Sequence, residues 1–154
     1  MRKVGLILSD QFLVSVSWSK QDNQIVLKSF SKIKLTEPIK SLLYNEKELS
    51  SIITIALRRA SDAVNMPDSE VYIGVDDSFL HHGVMETEPD LAREDYWDYI
   101  KWIELNKNRP KHQENSIFGQ FYLPEEINIH TVVCPTPLIR TIKLSISELG
   151  GKAA

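Results

Sequence analysis

The residues best suited to do chemistry in this chain of 154 residues are acidic: Asp10, Glu46, Glu48, Asp76 and its neighbour Asp77. Asp10 follows the apolar run Val4 to Leu8, and Asp76-Asp77 follow Val71 to Val75, so both stand at the ends of predicted strands. Glu46 and Glu48 open the predicted helix between those strands. If the strands are neighbours, such carboxylates could hold two Mg²⁺ ions for phosphodiester cleavage. The competing reading is local: aspartate is favoured in turns and strand-to-loop breaks because its side chain bonds nearby backbone N–H groups. A two-metal site also wants its first acid inside the strand, and Ile7 stands there. His81 and His82 are adjacent on a predicted strand, so they point to opposite faces and are poorly placed to share a metal. His112 lies in a polar loop and His130 in a strand, and the sequence spacing sets no second metal ligand beside either. Cys134, the single cysteine, excludes an internal disulfide, fits a reducing cytosol and reads as core.

The other unusual cluster is aromatic. Tyr96, Trp97, Tyr99, Ile100 and Trp102 crowd one predicted helix, and five large side chains cannot all face one apolar stripe. Aromatic anchors dominate interface hot spots, which makes Tyr96, Tyr99 and Trp102 the candidate residues for contact with a protein partner. Burial of both helix sides within the protein is the alternative. Glu94, Asp95, Asp98 and Glu104 are interleaved and repel phosphate, so no nucleic-acid binding is expected. The nearby Lys107, Arg109 and Lys111 read as a solvated loop.

The elements that must position these groups fit one compact domain, given 154 residues and 42% hydrophobic content. A net charge of −3 gives no overall pull toward nucleic acid or anionic lipid. The apolar run after Arg2-Lys3 is too short for a signal peptide, and no stretch reaches the eighteen or so apolar residues of a membrane span. A cytoplasmic protein is the expectation.

Residues 4 to 18 predict a strand, a Ser9-Asp10-Gln11 turn and a second strand; residues 24 to 35 predict a third, with lysines that would guard a sheet edge. Leu49, Ile52, Ile53, Ala56, Leu57, Ala60 and Val64 recur at the spacing of a helix with one apolar face, stopped by Asn65 to Asp68. Val71 to Val75 predicts a buried strand. Residues 79 to 86, 117 to 123 and 127 to 134 predict further strands, and about 91 to 106 the aromatic helix. Thr136 as cap and Pro137 at the first helical position open a last helix, buried through Leu138, Ile142, Ile146 and Leu149 and ended by Gly150-Gly151. Two parts follow: a frame of residues 1–76 and 127–150, and an inserted α+β subdomain of about 77–126.

Three antiparallel strands, a crossing helix and further strands with a helix give an α/β fold, a mixed sheet with flanking helices of the ribonuclease H-like kind, which is also half of an actin-like fold. Val4-Gly5-Leu6-Ile7-Leu8-Ser9 with Val14-Ser15-Val16 resembles the opening strand-turn-strand of the type IV pilus assembly protein PilM and its relative FtsA. Val71 to Val75, the helix Trp97 to Glu104 with Ile117 to Leu123, and Ile129 to Cys134 with the helix ending Glu148-Leu149-Gly150 are similar to that family's later elements. The resemblance covers nearly the whole chain, as the N-terminal half of such a protein. It implies a protein at the cytoplasmic face of a bacterial inner membrane, peripheral to it through a partner. That partner would be an assembly protein of a type IV pilus or related secretion machine, captured by its cytoplasmic tail in a groove between frame and insert; a homo-oligomer is also compatible. Nucleotide-binding relatives carry an acid where Ile7 stands and a glycine where Ser9 stands, and a second half that closes over ATP. The expectation is therefore a non-catalytic scaffold without ATP or Mg²⁺. Two alternatives are a Mg²⁺-dependent ribonuclease H-like nuclease using Asp10, Glu46 or Glu48, and Asp76, and an actin-like ATPase fragment that needs its missing half.

Overall fold

The computed structural model describes residues 2–86, 95, 98, 99, 102, 103, 116–122 and 128–154. Contacts divide the chain into two units, Met1–Phe79 with Pro137–Ala154, and Leu80–Thr136.

The first unit is built on a five-stranded sheet of order β3-β2-β1-β4-β8. Its strands are β1 (Lys3–Leu8), β2 (Phe12–Gln21), β3 (Gln24–Lys34), β4 (Glu70–Val75) and the two-residue β8 (Lys152–Ala153). β1, β2 and β3 form an antiparallel meander, and β4 and β8 run parallel to β1. The β2–β3 turn places Asp22 at φ 47 and Asn23 at φ 65. Both values suit the mirror-image turn whose twist matches a hairpin, and Asp and Asn tolerate that region. A bulge follows, where the register slips between Ser17 and Trp18.

Alternation along β1 buries Val4, Leu6 and Leu8 on one face and leaves Lys3, Gly5 and Ile7 on the other. The buried face packs under α1 (Glu46–Val64) and α2 (Thr136–Glu148). Leu49, Ile53, Ala56, Leu57, Ala60 and Val64 of α1 and Leu138, Ile142 and Ile146 of α2 are all core. Each of these leucine, isoleucine and valine side chains contributes about 1.5–3 kcal/mol by leaving water. Thr54 Oγ1 and Ser145 Oγ, 2.9 Å apart, hydrogen-bond α1 to α2, and the Arg140 guanidinium pairs with the Glu46 carboxylate. Asn45 caps α1 by accepting from the Glu48 N–H, and Glu46 and Glu48 complement the positive end of the helix dipole. Asn65 ends it at φ 53, left-handed, where Asn substitutes for glycine.

A short 3-10 turn, Ile39–Leu42, buries Ile39 and Leu42 and links the sheet to α1. Gly151, just after α2, is close-packed: a Cβ there would lie 2.9 Å from Ile146 Cγ2 and 3.0 Å from Val71 Cγ2. Only glycine lets the chain pass this near before β8 pairs with β4.

The second unit holds a three-stranded antiparallel sheet, order β5-β7-β6, of β5 (His81–Glu86), β6 (Ser116–Tyr122) and β7 (Asn128–Pro135). This corrects the frame boundaries of 1–76 and 127–150. β7 is the middle strand of the second sheet, hydrogen-bonded to β5 and β6, so the frame resumes at Pro137 rather than at residue 127. An alternating then apolar run announces a strand and says nothing of which sheet it enters. The helix predicted over about 91–106 falls mostly outside the described residues; Asp98, Tyr99, Trp102 and Ile103 within it are helical.

Beneath α1 the meander buries hydroxyls. Ser17 Oγ and Ser29 Oγ satisfy each other at 2.6 Å, whereas the Ser15 Oγ, fully buried, has no hydrogen-bond partner among the described residues. An unpaired buried hydroxyl costs its desolvation, so Ser15→Ala is expected to stabilise the protein by about 1 kcal/mol. A scanning-calorimetry Tm raised by about 3 °C would show it.

Candidate functional site

β1 and β4 are parallel neighbours with Leu8 opposite Val75, so Asp10 and Asp76 do stand at the same end of the sheet. Their carboxylates are nonetheless turned to local work. Asp10 Oδ1 accepts from the Lys40 N–H at 2.8 Å and its carbonyl from the Ile39 N–H at 2.9 Å, which fixes the start of the 3-10 turn. Asp76 Oδ1 accepts from the Ser78 N–H at 2.9 Å. The Ser78 hydroxyl, and after it that N–H, hold the exposed Asp76 carboxyl below its ordinary pKa. This bond therefore holds above the ordinary carboxylate pKa and weakens as pH falls through the lowered value. Glu46 faces Arg140, and Glu48 lies on the same exposed first turn of α1. Asp10, Glu46, Glu48 and Asp76 are not brought together: among the described residues no three His, Cys, Asp or Glu side chains form a group able to hold a metal ion.

The β1–β2 turn is closed on itself. Ser9 N donates to the Phe12 carbonyl at 2.9 Å, the Ser9 hydroxyl donates to that carbonyl at 3.1 Å, and Phe12 N lies 3.1 Å from Ser9 Oγ. A loop that cradles phosphate turns its N–H groups outward to the ligand. Here two of them are committed inside the turn. Ile7 offers a hydrocarbon in place of an acid, and its side chain is 56% exposed.

Of the three aromatic candidates, Tyr96 lies outside the described residues, Tyr99 is half-buried and Trp102 is exposed. His81 and His82 are paired in register with Val133 and Val132, as successive residues of β5.

Composition gave no warning of the open face of the first sheet, opposite α1 and α2. The register puts Ile7, Val14 and Gly74 in one row, and Gly5, Val16, Phe30 and Tyr72 in the next. A third row holds Trp18, Leu27, Lys3 and Glu70. Leu27 and Phe30 are each 63% exposed, and Ile25 and Tyr72 are exposed beside them. Trp18 lies over Gly5 and meets Tyr72 across it, ring centroids 5.9 Å apart. The Lys3 ammonium bonds the Tyr72 hydroxyl at 2.9 Å and the Glu70 carboxylate at 3.4 Å, contacts that raise its pKa in that order. The period-two pattern of β1 and β2 did carry the signal: Gly5, Ile7, Val14, Val16 and Trp18 are apolar positions on the side away from Leu6 and Leu13.

This architecture defines a class: an α/β protein with a mixed sheet, flanking helices and a second small sheet, the arrangement expected of one half of an actin-like fold. Comparison with solved structures agrees. The chain matches the cytoplasmic domain of EpsL, an inner membrane component of the type II secretion system of Vibrio cholerae, with TM-score 0.64 and 12% identity over 100% of this chain and 56% of that one. It matches the PilM-PilN type IV pilus biogenesis complex with TM-score 0.68 and 12% identity, over 99% of this chain and 46% of that one. The chain thus spans about half the length of these structures. No family model matches the sequence, and no curated protein matches it in sequence. Among the described residues no helix is long and apolar enough to cross a membrane.

Proposed function

We propose that this chain is a non-catalytic, protein-binding scaffold domain of a bacterial membrane-associated assembly, of the type IV pilus or secretion kind. It would work on the cytoplasmic side, held at the inner membrane through a partner. The observation that carries the reading is the β1–β2 turn. In a fold whose nucleotide-binding members need an acid and open backbone there, Ile7 is a hydrocarbon and Ser9 binds Phe12. The likeness to the EpsL cytoplasmic domain and to the PilM-PilN complex supports the assembly setting. A short cytoplasmic tail of an inner-membrane assembly protein is the proposed partner, with Tyr99 and Trp102 among its contacts.

Two measurements test this. Isothermal titration with candidate tails is expected to show binding that Tyr99→Ala with Trp102→Ala reduces at least tenfold; undiminished binding removes these residues. Addition of ATP and Mg²⁺ is expected to leave the Tm unchanged. A rise would instead indicate a working nucleotide site and sink the scaffold reading.

A further inference from the structure

The two parallel strands at the middle of the first sheet, β1 and β4, are covered on one face only. Parallel strands occur almost always with both faces covered, in α/β proteins by helices. Here α1 and α2 lie on the Leu6 face, and the Ile7 face has no cover among the described residues. Ile7, Leu27, Phe30 and Tyr72 are exposed there, around the half-buried Val14, Val16 and Trp18. Scattered exposed apolar residues are ordinary; a contiguous set on one face marks an interaction surface.

The charges on this face select the occupant. β2 and β3 place Lys20, Lys32 and Lys34 on the open side, opposite Ile25, Val14 and Phe12. The Lys32 ammonium sits 4.3 Å from the centre of the Phe12 ring, and none of these three lysines has a carboxylate within salt-bridge reach among the described residues. The one acid of the rows above, Glu70, is engaged by Lys3. A second copy of the same face would set lysines against lysines. The surface is also low at Gly74, where an added Cβ would meet only Ile7 Cγ1 at 3.5 Å and the Leu6 carbonyl at 3.6 Å. A twisted sheet with a low middle receives a convex ridge better than a planar bilayer does.

We infer that the open face of β3-β2-β1-β4 docks an amphipathic α-helix supplied by a partner protein, its apolar stripe on Ile7, Val16, Phe30 and Tyr72 and its acidic flank toward Lys32 and Lys34. The inference is independent of the tail-binding reading, since it concerns other residues and a helical ligand.

The test uses the whole chain and a labelled five-turn synthetic helix with leucines at three-and-four spacing and glutamate flanks, read by fluorescence anisotropy. A lysine-flanked version, vesicles containing anionic phosphatidylglycerol, and light scattering of the protein alone are the other arms. The acidic helix is expected to bind at least tenfold more tightly than the basic one, with affinity falling as salt rises. Phe30→Asp, at an exposed position and with its fold checked by circular dichroism, is expected to abolish binding. Lys32→Glu with Lys34→Glu is expected to reverse the preference between the two helices. Absence of binding, equal affinity for both helices, stronger attachment to the vesicles, or a dimer that Phe30→Asp dissolves would each overturn the proposal.

Discussion

Leu6→Ala is expected to lower the unfolding free energy by about 3 kcal/mol, within the usual range for deleting a buried leucine side chain. Leu6 is 2% exposed and stands between Ser15 of β2 and Ile73 of β4, under both helices. It lines a small gap with Leu8, Leu13, Ile53, Ala56, Leu57 and Ile142, so the interior is already slightly open at this spot. Shortening Leu6 enlarges that gap, and the sheet cannot close it because backbone hydrogen bonds on both sides fix β1 in place. For a chain of this size the Tm is expected to fall by about 9 °C. Ile7→Ala is the control. It removes a similar amount of hydrocarbon one residue along the same strand, from a side chain 56% exposed on the opposite face, and is expected to cost under about 1 kcal/mol. Equal losses at both positions would mean that the two faces of the sheet are not as described.

That contrast also shows where the fold was legible. The three-and-four spacing of Leu49 to Val64 located α1, and the lysines of residues 28 to 34 marked β3 as an edge, which the strand order confirms. Both signals are local, because helix amphipathicity and edge protection are decided by a residue and its near neighbours. Sheet membership is not local. Residues 128–135 read clearly as a strand, yet only long-range pairing with β5 and β6 placed it in the second sheet. The carboxylates show the same limit: strand order implied that Asp10 and Asp76 share one end of the sheet, but not that each accepts a backbone hydrogen bond there, from Lys40 N–H and Ser78 N–H. The apolar open face was present in the alternation of Gly5, Ile7, Val14 and Val16. A sheet strand that is apolar on both sides needs two covers, and sequence alone cannot say whether the second comes from the same chain.

Cys134 is expected to react with iodoacetamide at pH 8 about a hundredfold more slowly than an unperturbed thiol, because only the thiolate attacks. Burial pushes its pKa up to about 11, and the residue is 8% exposed on β7. This protection makes the thiol a reporter of the second unit, while, among the described residues, far-UV circular dichroism at the helical minimum reports mainly on α1 and α2 of the first. The three-stranded sheet of the second unit is at the lower limit of what stands alone, whereas the first unit has five strands and buries Leu49, Leu57, Leu138 and Ile146 between sheet and helices. Labelling in increasing urea is therefore expected to become fast before the helical signal is lost, as a sub-global opening of residues 80–136. Leu6→Ala sharpens the distinction: it should move the helical midpoint to lower urea and leave the onset of Cys134 labelling where it was. If the two transitions instead coincide and shift together, the units unfold as one cooperative body, and the division of the chain near residues 79 and 136 is one of contacts without being one of stability.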